Sequence, residues 1–289
     1  MSIITAYIRL VRLHNVVGAT LGDVMGYLVS SKWAHVSLVT LTISALVVGL
    51  VAAGGYVIND VFDVEIDRIN KPDRPIPAGK VSLRSAKILS ACLFALGILL
   101  SIWINLYALV VSFLTALMLY AYASHLKKTG VWGNFVVSLT TSLSIFFGAI
   151  AAERGYELVA IPTLYSFTLT MCREIVKGVE DYEGDSLNNV KTLAVSIGVE
   201  RAWGVIRKLL IVLMILAPLP IALGYNISYV TLIAIFYVYV IRTYLTESSI
   251  RGGAKGREYL KVAAVVAILA FLFGSYPGLS LQHVINEFP

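Results

Sequence analysis

Charge is scarce in this chain. Only 14% of its 289 residues are Asp, Glu, Lys or Arg, 58% are hydrophobic, and mean hydropathy is +0.82. Soluble domains run near a quarter charged and half apolar, so this composition excludes a soluble enzyme with a large core. It points to an all-α, polytopic membrane protein. Cysteine is nearly absent. Cys92 and Cys172 both fall inside apolar stretches, which excludes a disulfide framework and predicts buried free thiols. The histidines, His14, His35, His125 and His283, are scattered without ligand spacing, which excludes a His-built metal site. No basic segment followed by a small-residue cleavage site opens the chain, so no signal peptide is expected. Residues 1–289 read as a single transmembrane domain.

Apolar runs are what the sequence has in abundance. Nine stand out, near 14–31, 36–59, 83–103, 105–123, 131–152, 157–176, 204–224, 227–246 and 259–276. Most reach or approach the roughly 20 residues that a spanning helix needs. Nine transmembrane helices are therefore expected, bundled around a central cavity. With the N-terminus in the cytoplasm, 21 of the 23 Lys and Arg fall on the inner side, leaving Lys32 and Arg154 outside. That asymmetry is a positive-inside signal, and it places the C-terminus outside the cell membrane. Residues 2–13 predict a short interfacial helix with Arg9 and Arg12 on its polar side. The net charge of +6 reads as topology plus an anionic lipid or substrate, not nucleic acid.

Two acid-rich junctions interrupt this pattern. The first is Asn59-Asp60-Val61-Phe62-Asp63-Val64-Glu65-Ile66-Asp67. The second is Lys177-Gly178-Val179-Glu180-Asp181-Tyr182-Glu183-Gly184-Asp185. Each ends an apolar run and opens one of the two long polar loops, 60–82 and 177–203, both cytoplasmic caps in this topology. Each spaces acidic or amide groups four apart, on one face if the helix runs on. Two carboxylates about 6 Å apart repel by roughly 2–3 kcal/mol at an effective dielectric near 20, so each cluster calls for a cation. Asp63 and Asp181 are 118 residues apart, as are Asp67 and Asp185, which hints at a diverged repeat.

Carboxylates alone fit a metal site, a proton relay or an ion pathway. The bases nearby decide among these. Arg68 and Arg74 follow the first cluster, Lys177 precedes the second, and Lys127 and Lys128 end the fourth run on the same side. Carboxylates with Lys and Arg at one depth suit Mg²⁺ holding a diphosphate, because Mg²⁺ prefers oxygen ligands completed by phosphate. An ion-coupled transporter is the rival reading, but its acids would line a path through the bilayer. Other features read as structure. Gly18, Gly22 and Gly26 form a helix-packing face. The run Ser138, Thr140, Thr141, Ser142 and Ser144 reads as interhelical bonding. Asp23, inside the first span, is left open between a site role and a structural hydrogen bond.

The chain resembles the UbiA superfamily of intramembrane prenyltransferases. Asn59, Asp60, Asp63 and Asp67 match its N-D-x-x-D-x-x-x-D motif in full, and Arg74-Pro75 matches the trailing Arg-Pro. Asp181 and Asp185 match its D-x-x-x-D. Tyr122 and Lys127 resemble the family's segment after the fourth helix, followed by Gly133-Asn134, and Arg12 and Asn15 match an Arg and Asn before the first span. The resemblance spans roughly residues 9–275. Arg173-Glu174, Lys177, Glu180-Asp181, Glu183 to Asp185 and Thr192-Leu193 are similar to the branch that forms the second ether bond of archaeal membrane lipids. Gly178, where that branch often has an acid, and the Asn188-Asn189-Val190 loop depart from its pattern.

The resemblance implies transfer of a geranylgeranyl group from geranylgeranyl diphosphate to the hydroxyl of geranylgeranylglyceryl phosphate. It implies two Mg²⁺ ions, one on Asn59, Asp63 and Asp67 and one on Asp181 and Asp185, with Asp60 assisting. Arg68, Arg74, Lys127 and Lys177 are then expected on diphosphate oxygens. Arg12 is expected at the acceptor phosphate, with Lys128 and Arg173 as weaker candidates. Asn15 and Tyr122 would orient substrate. The alternative acceptor is aromatic, such as 4-hydroxybenzoate in quinone synthesis. Membrane lipids are the expected surroundings, and no protein partner is implied.

Overall fold

The computed structural model describes residues 3–187 and 190–277, so Asn188, Asn189, His283 and the C-terminus assigned to the outside lie beyond the described residues. Among the described residues every regular element is helical. They are α1 (Ile3–Leu10), α2 (Leu13–Ser30), α3 (Leu38–Phe62), α4 (Val64–Asn70), α5 (Leu83–Ser101), α6 (Leu106–Ser124), a 3₁₀ turn (Leu126–Thr129), α7 (Val131–Ala152), α8 (Tyr156–Glu180), α9 (Tyr182–Leu187), α10 (Leu193–Ile197), α11 (Val199–Leu216), α12 (Leu219–Ala222), α13 (Ile227–Tyr244) and α14 (Ile250–Gly274). Side-chain caps fix several starts. Ser37, Ser82, Asn105, Asn226 and Ser249 each accept from a backbone N–H in the first turn of α3, α5, α6, α13 and α14, satisfying donors that the helix leaves unpaired.

Each of the nine apolar runs became a long helix. Among the described residues, six elements are long and apolar enough to cross a membrane: α3, α5, α6, α7, α13 and the α11–α12 pair. The other three long helices, α2, α8 and α14, carry more polar groups. Helix α8 can do so because it packs against α7, α11, α14 and α2, so helices and not lipid surround much of it.

Boundaries moved where charge continues a helix past its apolar run. The run at 259–276 begins as a helix at Ile250, capped by Ser249. Likewise α8 extends to Glu180, so Lys177 lies in its last turn and not in a loop. The expected loops 60–82 and 177–203 are largely helical, containing α4, α9, α10 and the start of α11.

The internal repeat extends beyond the motifs. Helix α2 starts at Leu13 and α7 at Val131, while α3 starts at Leu38 and α8 at Tyr156, each pair 118 residues apart. Helices α3 and α8 are both 25 residues long and both are capped by a motif aspartate, Asp63 and Asp181.

The connections sort to two ends of the bundle. At one end, Gly155 closes on the Ser30 carbonyl, Asn105 Nδ2 donates to the Ile150 carbonyl (2.9 Å), and Trp33 Nε1 donates to Ser275 Oγ (3.1 Å). The loops carrying Lys32 and Arg154 therefore share that end. At the other end, Gly130 closes on the Lys191 carbonyl, and Trp203 Nε1 donates to the Ser249 carbonyl (3.2 Å).

The small residues of α2 act unequally. A methyl on Gly26 would overlap the Ile145 carbonyl of α7, and one on Gly148 would overlap the Asp23 carbonyl, whereas Gly18 faces open space. Asp23 is fully buried, and the Ser44 hydroxyl of α3 donates to its Oδ2 (2.9 Å). That is the structural bond, not a place in the acidic site.

The Ser/Thr run does not tie helices together as expected. Ser138, Thr140, Ser142 and Ser144 donate to carbonyls three or four residues back in α7, satisfying their hydroxyls locally. Only Ser138 reaches across, to Met171 Sδ at 3.8 Å. Cys172 is buried as expected, but Cys92 is exposed on α5, because one face of that helix is left uncovered. Gly26→Ala is expected to lower stability by about 2 kcal/mol or more through forced overpacking, with Gly18→Ala neutral. Thermal unfolding of the detergent-purified protein measures both.

Candidate active site

Helix α3 breaks at Asp63, yet its hydrogen-bond ladder continues. Asp63 N–H donates to the Asn59 carbonyl (3.0 Å), Asp67 N–H to Asp63 (2.8 Å) and Lys71 N–H to Asp67 (2.8 Å). The second motif repeats this, with Asp181 N–H on the Lys177 carbonyl and Asp185 N–H on Asp181, both 2.9 Å. The four-residue spacing thus stacks each set on one helical path, although a cap residue interrupts each helix. The side chain of Asn59 donates to Asp63 Oδ2 (2.9 Å).

Buried carboxylates need counter-charge, and three distant segments supply it. Asp60 is 4% exposed and Asp67 5%. Arg12 pairs with Asp60; Arg74 pairs with Asp60 (3.2 Å) and Asp67. Lys127, from the 3₁₀ turn after α6, pairs with Asp63. Arg12 adopts φ 53°, ψ 56° at the α1–α2 junction, a left-handed conformation costly for a side chain larger than glycine. Its guanidinium lies 5.4 Å from the Tyr56 ring centre. A strained backbone, an ion pair and a ring contact together fix this one side chain.

The 3₁₀ turn also joins the two motifs. Gly130, with φ 65°, lies against the Lys191 carbonyl, and Gly178 of α8 lies against Thr192. A side chain at Gly130 would be strained by its φ and blocked by that carbonyl. Lys127 is within electrostatic reach of Lys128, Asp60, Arg12 and Lys177; burial first, then Lys128, with Arg12 and Lys177 adding and Asp60 opposing, lowers its ammonium to about 8. Lys71 is lowered too, by partial burial and then by Arg74, with Lys177 and Arg12 adding and Asp67 opposing. Asp185 is raised to about 6, first by burial, then by Asp181, with Lys177 opposing.

Most, not all, of the expected residues gather here. Arg12, Asp60, Arg74 and Asp67 form one chain of ion pairs, and Lys127, Asp63 and Asn59 a second, within electrostatic reach of the first through Lys127. Lys177 lies within electrostatic reach of Lys71 and Lys127, and also of Asp185, whose other charged neighbour is Asp181. Asn15 lies one turn after Arg12, its N–H on the Arg12 carbonyl (2.8 Å), and Tyr122 is half-buried at the end of α6. Arg68 is not brought in. It pairs with exposed Glu65 at 3.0 Å, three residues away on the outer face of α4. Tyr56 and Lys71 carry no signal in the sequence analysis, and Glu174 enters it only as part of the Arg173-Glu174 pattern. Tyr56 precedes Asp60 by one turn, Lys71 extends the 59–63–67 ladder by one more, and Glu174 lies within reach of Tyr56 and Tyr122. Arg173 Nε is buried without a hydrogen-bond partner among the described residues. Glu180 Oε2 sits 3.0 Å from Arg257 Nε, close but unaligned.

Among the described residues, no three acidic, His or Cys groups converge into a ready metal cage. The donors nevertheless suit Mg²⁺. They are all hard oxygens, and Mg²⁺ is commonly held by one or two carboxylates plus substrate phosphates, without a full protein cage. The raised Asp185 beside Asp181 is a repulsion that a divalent cation relieves.

Comparison with known proteins agrees with this geometry. Residues 24–265 match the UbiA prenyltransferase family. A digeranylgeranylglyceryl phosphate synthase of Saccharolobus solfataricus is 54% identical over 94% of this chain and 97% of its own. That of Methanocaldococcus jannaschii is 38% identical over 95% and 98%. A solved digeranylgeranylglyceryl phosphate synthase structure superposes with a TM-score of 0.82 at 38% identity, covering 96% of this chain and 99% of its own. A UbiA homologue from Archaeoglobus fulgidus, solved with DMAPP and Mg²⁺, shares the fold at a TM-score of 0.74 and 20% identity, covering 93% and 98%. The chain belongs to the UbiA prenyltransferase family.

Proposed function

We infer that this chain transfers a geranylgeranyl group from geranylgeranyl diphosphate to the hydroxyl of geranylgeranylglyceryl phosphate, releasing diphosphate, in archaeal ether-lipid synthesis. The observation that supports the reaction class is that the turn whose Lys127 pairs with Asp63 of the first ladder also packs, at Gly130, against the Lys191 carbonyl of the segment that follows the second. The 54% identity to a digeranylgeranylglyceryl phosphate synthase favours the glyceryl phosphate over an aromatic acceptor. Family membership sets the transporter reading aside.

In this reading the nine long helices span the membrane around a central cavity. The acidic end faces the cytoplasm, as the basic residues predict. Asn59, Asp63 and Asp67 would hold one Mg²⁺ and Asp181 and Asp185 a second. The metal supplies electrostatic stabilisation of the charge that develops on the diphosphate. The protein's own bases share that task. Arg74, Lys127 and Lys177 bind diphosphate oxygens, and charge there grows as the allylic C–O bond breaks, so they hold the transition state more tightly than the ground state. The same Arg74 and Lys127 pair with Asp60, Asp67 and Asp63. The bond's electron pair leaves with the diphosphate, the acceptor oxygen bonds the allylic carbon, and the hydroxyl proton is lost. Asn15 and Tyr122 orient the substrates. The apolar helix walls keep water from the cation.

Asp63→Ala and Asp181→Ala are each expected to lower turnover by about 10²-fold or more while the protein still inserts; near-wild-type rates in both would remove the paired-ladder reading. Product formation should stop in chelator and return with added Mg²⁺, measured by release of labelled diphosphate. Arg74→Ala should cost about 10²-fold, whereas Arg68→Ala, which breaks only an exposed pair, should change kcat/KM by less than about threefold.

A further inference from the structure

We propose that the pocket between the end of α1 and the 70–75 turn is the subsite for the acceptor's phosphate, read by Arg9 and Lys71. The proposal rests on the prenyl-transfer reading and assigns its second substrate. The pocket measures about 480 Å³ and is lined by Arg9, Arg12, Asp60, Lys71, Asp73 and Arg74, among others; that volume is typical of a ligand site. Of the groups given to the donor its lining includes Arg74, at the shared edge, and none of Asn59, Asp63, Asp67, Asp181, Asp185, Lys127 or Lys177.

Charge bookkeeping favours an anion there. Arg12 and Arg74 are already committed to Asp60, and Arg74 also to Asp67. Among the described residues, Arg9 and Lys71 have no ion pair, and the three cations around Lys71, Arg74, Lys177 and Arg12, outnumber the one opposing carboxylate, Asp67; Asp73 is the only lining acid besides Asp60. A phosphate would relieve that crowding and accept charge-assisted hydrogen bonds.

The surroundings specify an anion that carries an alkyl chain. On α1, Ile4 and Ile8 are 68% and 46% exposed while Ala6 and Leu10 are buried against the bundle; on α4, Ile69 is 83% exposed. Ile8 and Ile69 directly precede the lining residues Arg9 and Asn70, and Ile4 lies one turn before Ile8. A headgroup in the pocket therefore leaves an apolar surface for its chain. The wall is rigid. Pro72 and Pro75 limit the backbone, Pro75 is buried, and its carbonyl accepts from Lys80 N–H (3.0 Å) and Val81 N–H (3.1 Å).

The test uses the full-length protein in nanodiscs and labelled geranylgeranylglyceryl phosphate, first without donor. The double variant Arg9→Gln/Lys71→Gln should bind the acceptor about a hundredfold more weakly, since each of the two lost charge-assisted bonds is worth on the order of one decade. Acceptor KM should rise in parallel, with donor KM held within about twofold. Both side chains are exposed, and an unchanged thermal midpoint confirms the fold. Unchanged acceptor binding overturns the proposal. So does a rise confined to donor KM, which would give the pocket to the diphosphate. Equal displacement of the acceptor by phosphatidylglycerol also overturns it, by making the pocket a general lipid-headgroup site. If the wild type binds acceptor without turning over and the variant loses that binding, the subsite stands and the reaction assigned above falls.

Discussion

The arrangement depends on neutralising carboxylates that the fold has taken out of water. Asp60 and Asp67 are nearly inaccessible, and a buried carboxylate without a partner costs several kcal/mol. Arg12, Arg74 and Lys127 come from three segments separated by up to 115 residues in sequence, and each must arrive in place for the others to be satisfied. The ion pairs thus hold α1–α2, the proline-rich turn and the end of α6 onto the end of α3. The cost is a left-handed backbone at Arg12, which persists because Asp60 and Tyr56 over-determine its position.

Much of this was legible in the sequence because a bilayer imposes long apolar runs. All nine runs appear as helices, and the four-residue spacing of Asn59, Asp63 and Asp67 appears as a continuous backbone ladder. The errors have one physical source: an apolar run marks where a helix meets lipid, not where it ends. Helix α14 therefore begins nine residues early, at Ile250, and α8 takes in Lys177. Caps decide those ends, and a cap such as Ser249 looks like any other serine in the sequence.

Partnerships were less visible than elements. Nothing local says that Arg12 seeks Asp60 48 residues away, or that Arg68 pairs with Glu65, three residues back, and not with the adjoining Asp67. The hydroxyls of α7 show the same limit. Composition indicates polar groups in a membrane helix, but whether they bond their own turn or a neighbour depends on how closely helices approach. At the α2–α7 crossing, that approach is set by Gly26 and Gly148.

The 118-residue offset has a consequence for chain parity. Between the acidic end of α3 and the acidic end of α8 the chain traverses the bundle four times, through α5, α6, α7 and α8 itself. An even count returns it to the starting side. Had the duplicated unit held three or five traverses, the second set of aspartates would face the opposite compartment, and no single pyrophosphate could touch both. Whole pairs of helices are therefore the smallest insertion or deletion that such a chain tolerates between its two halves.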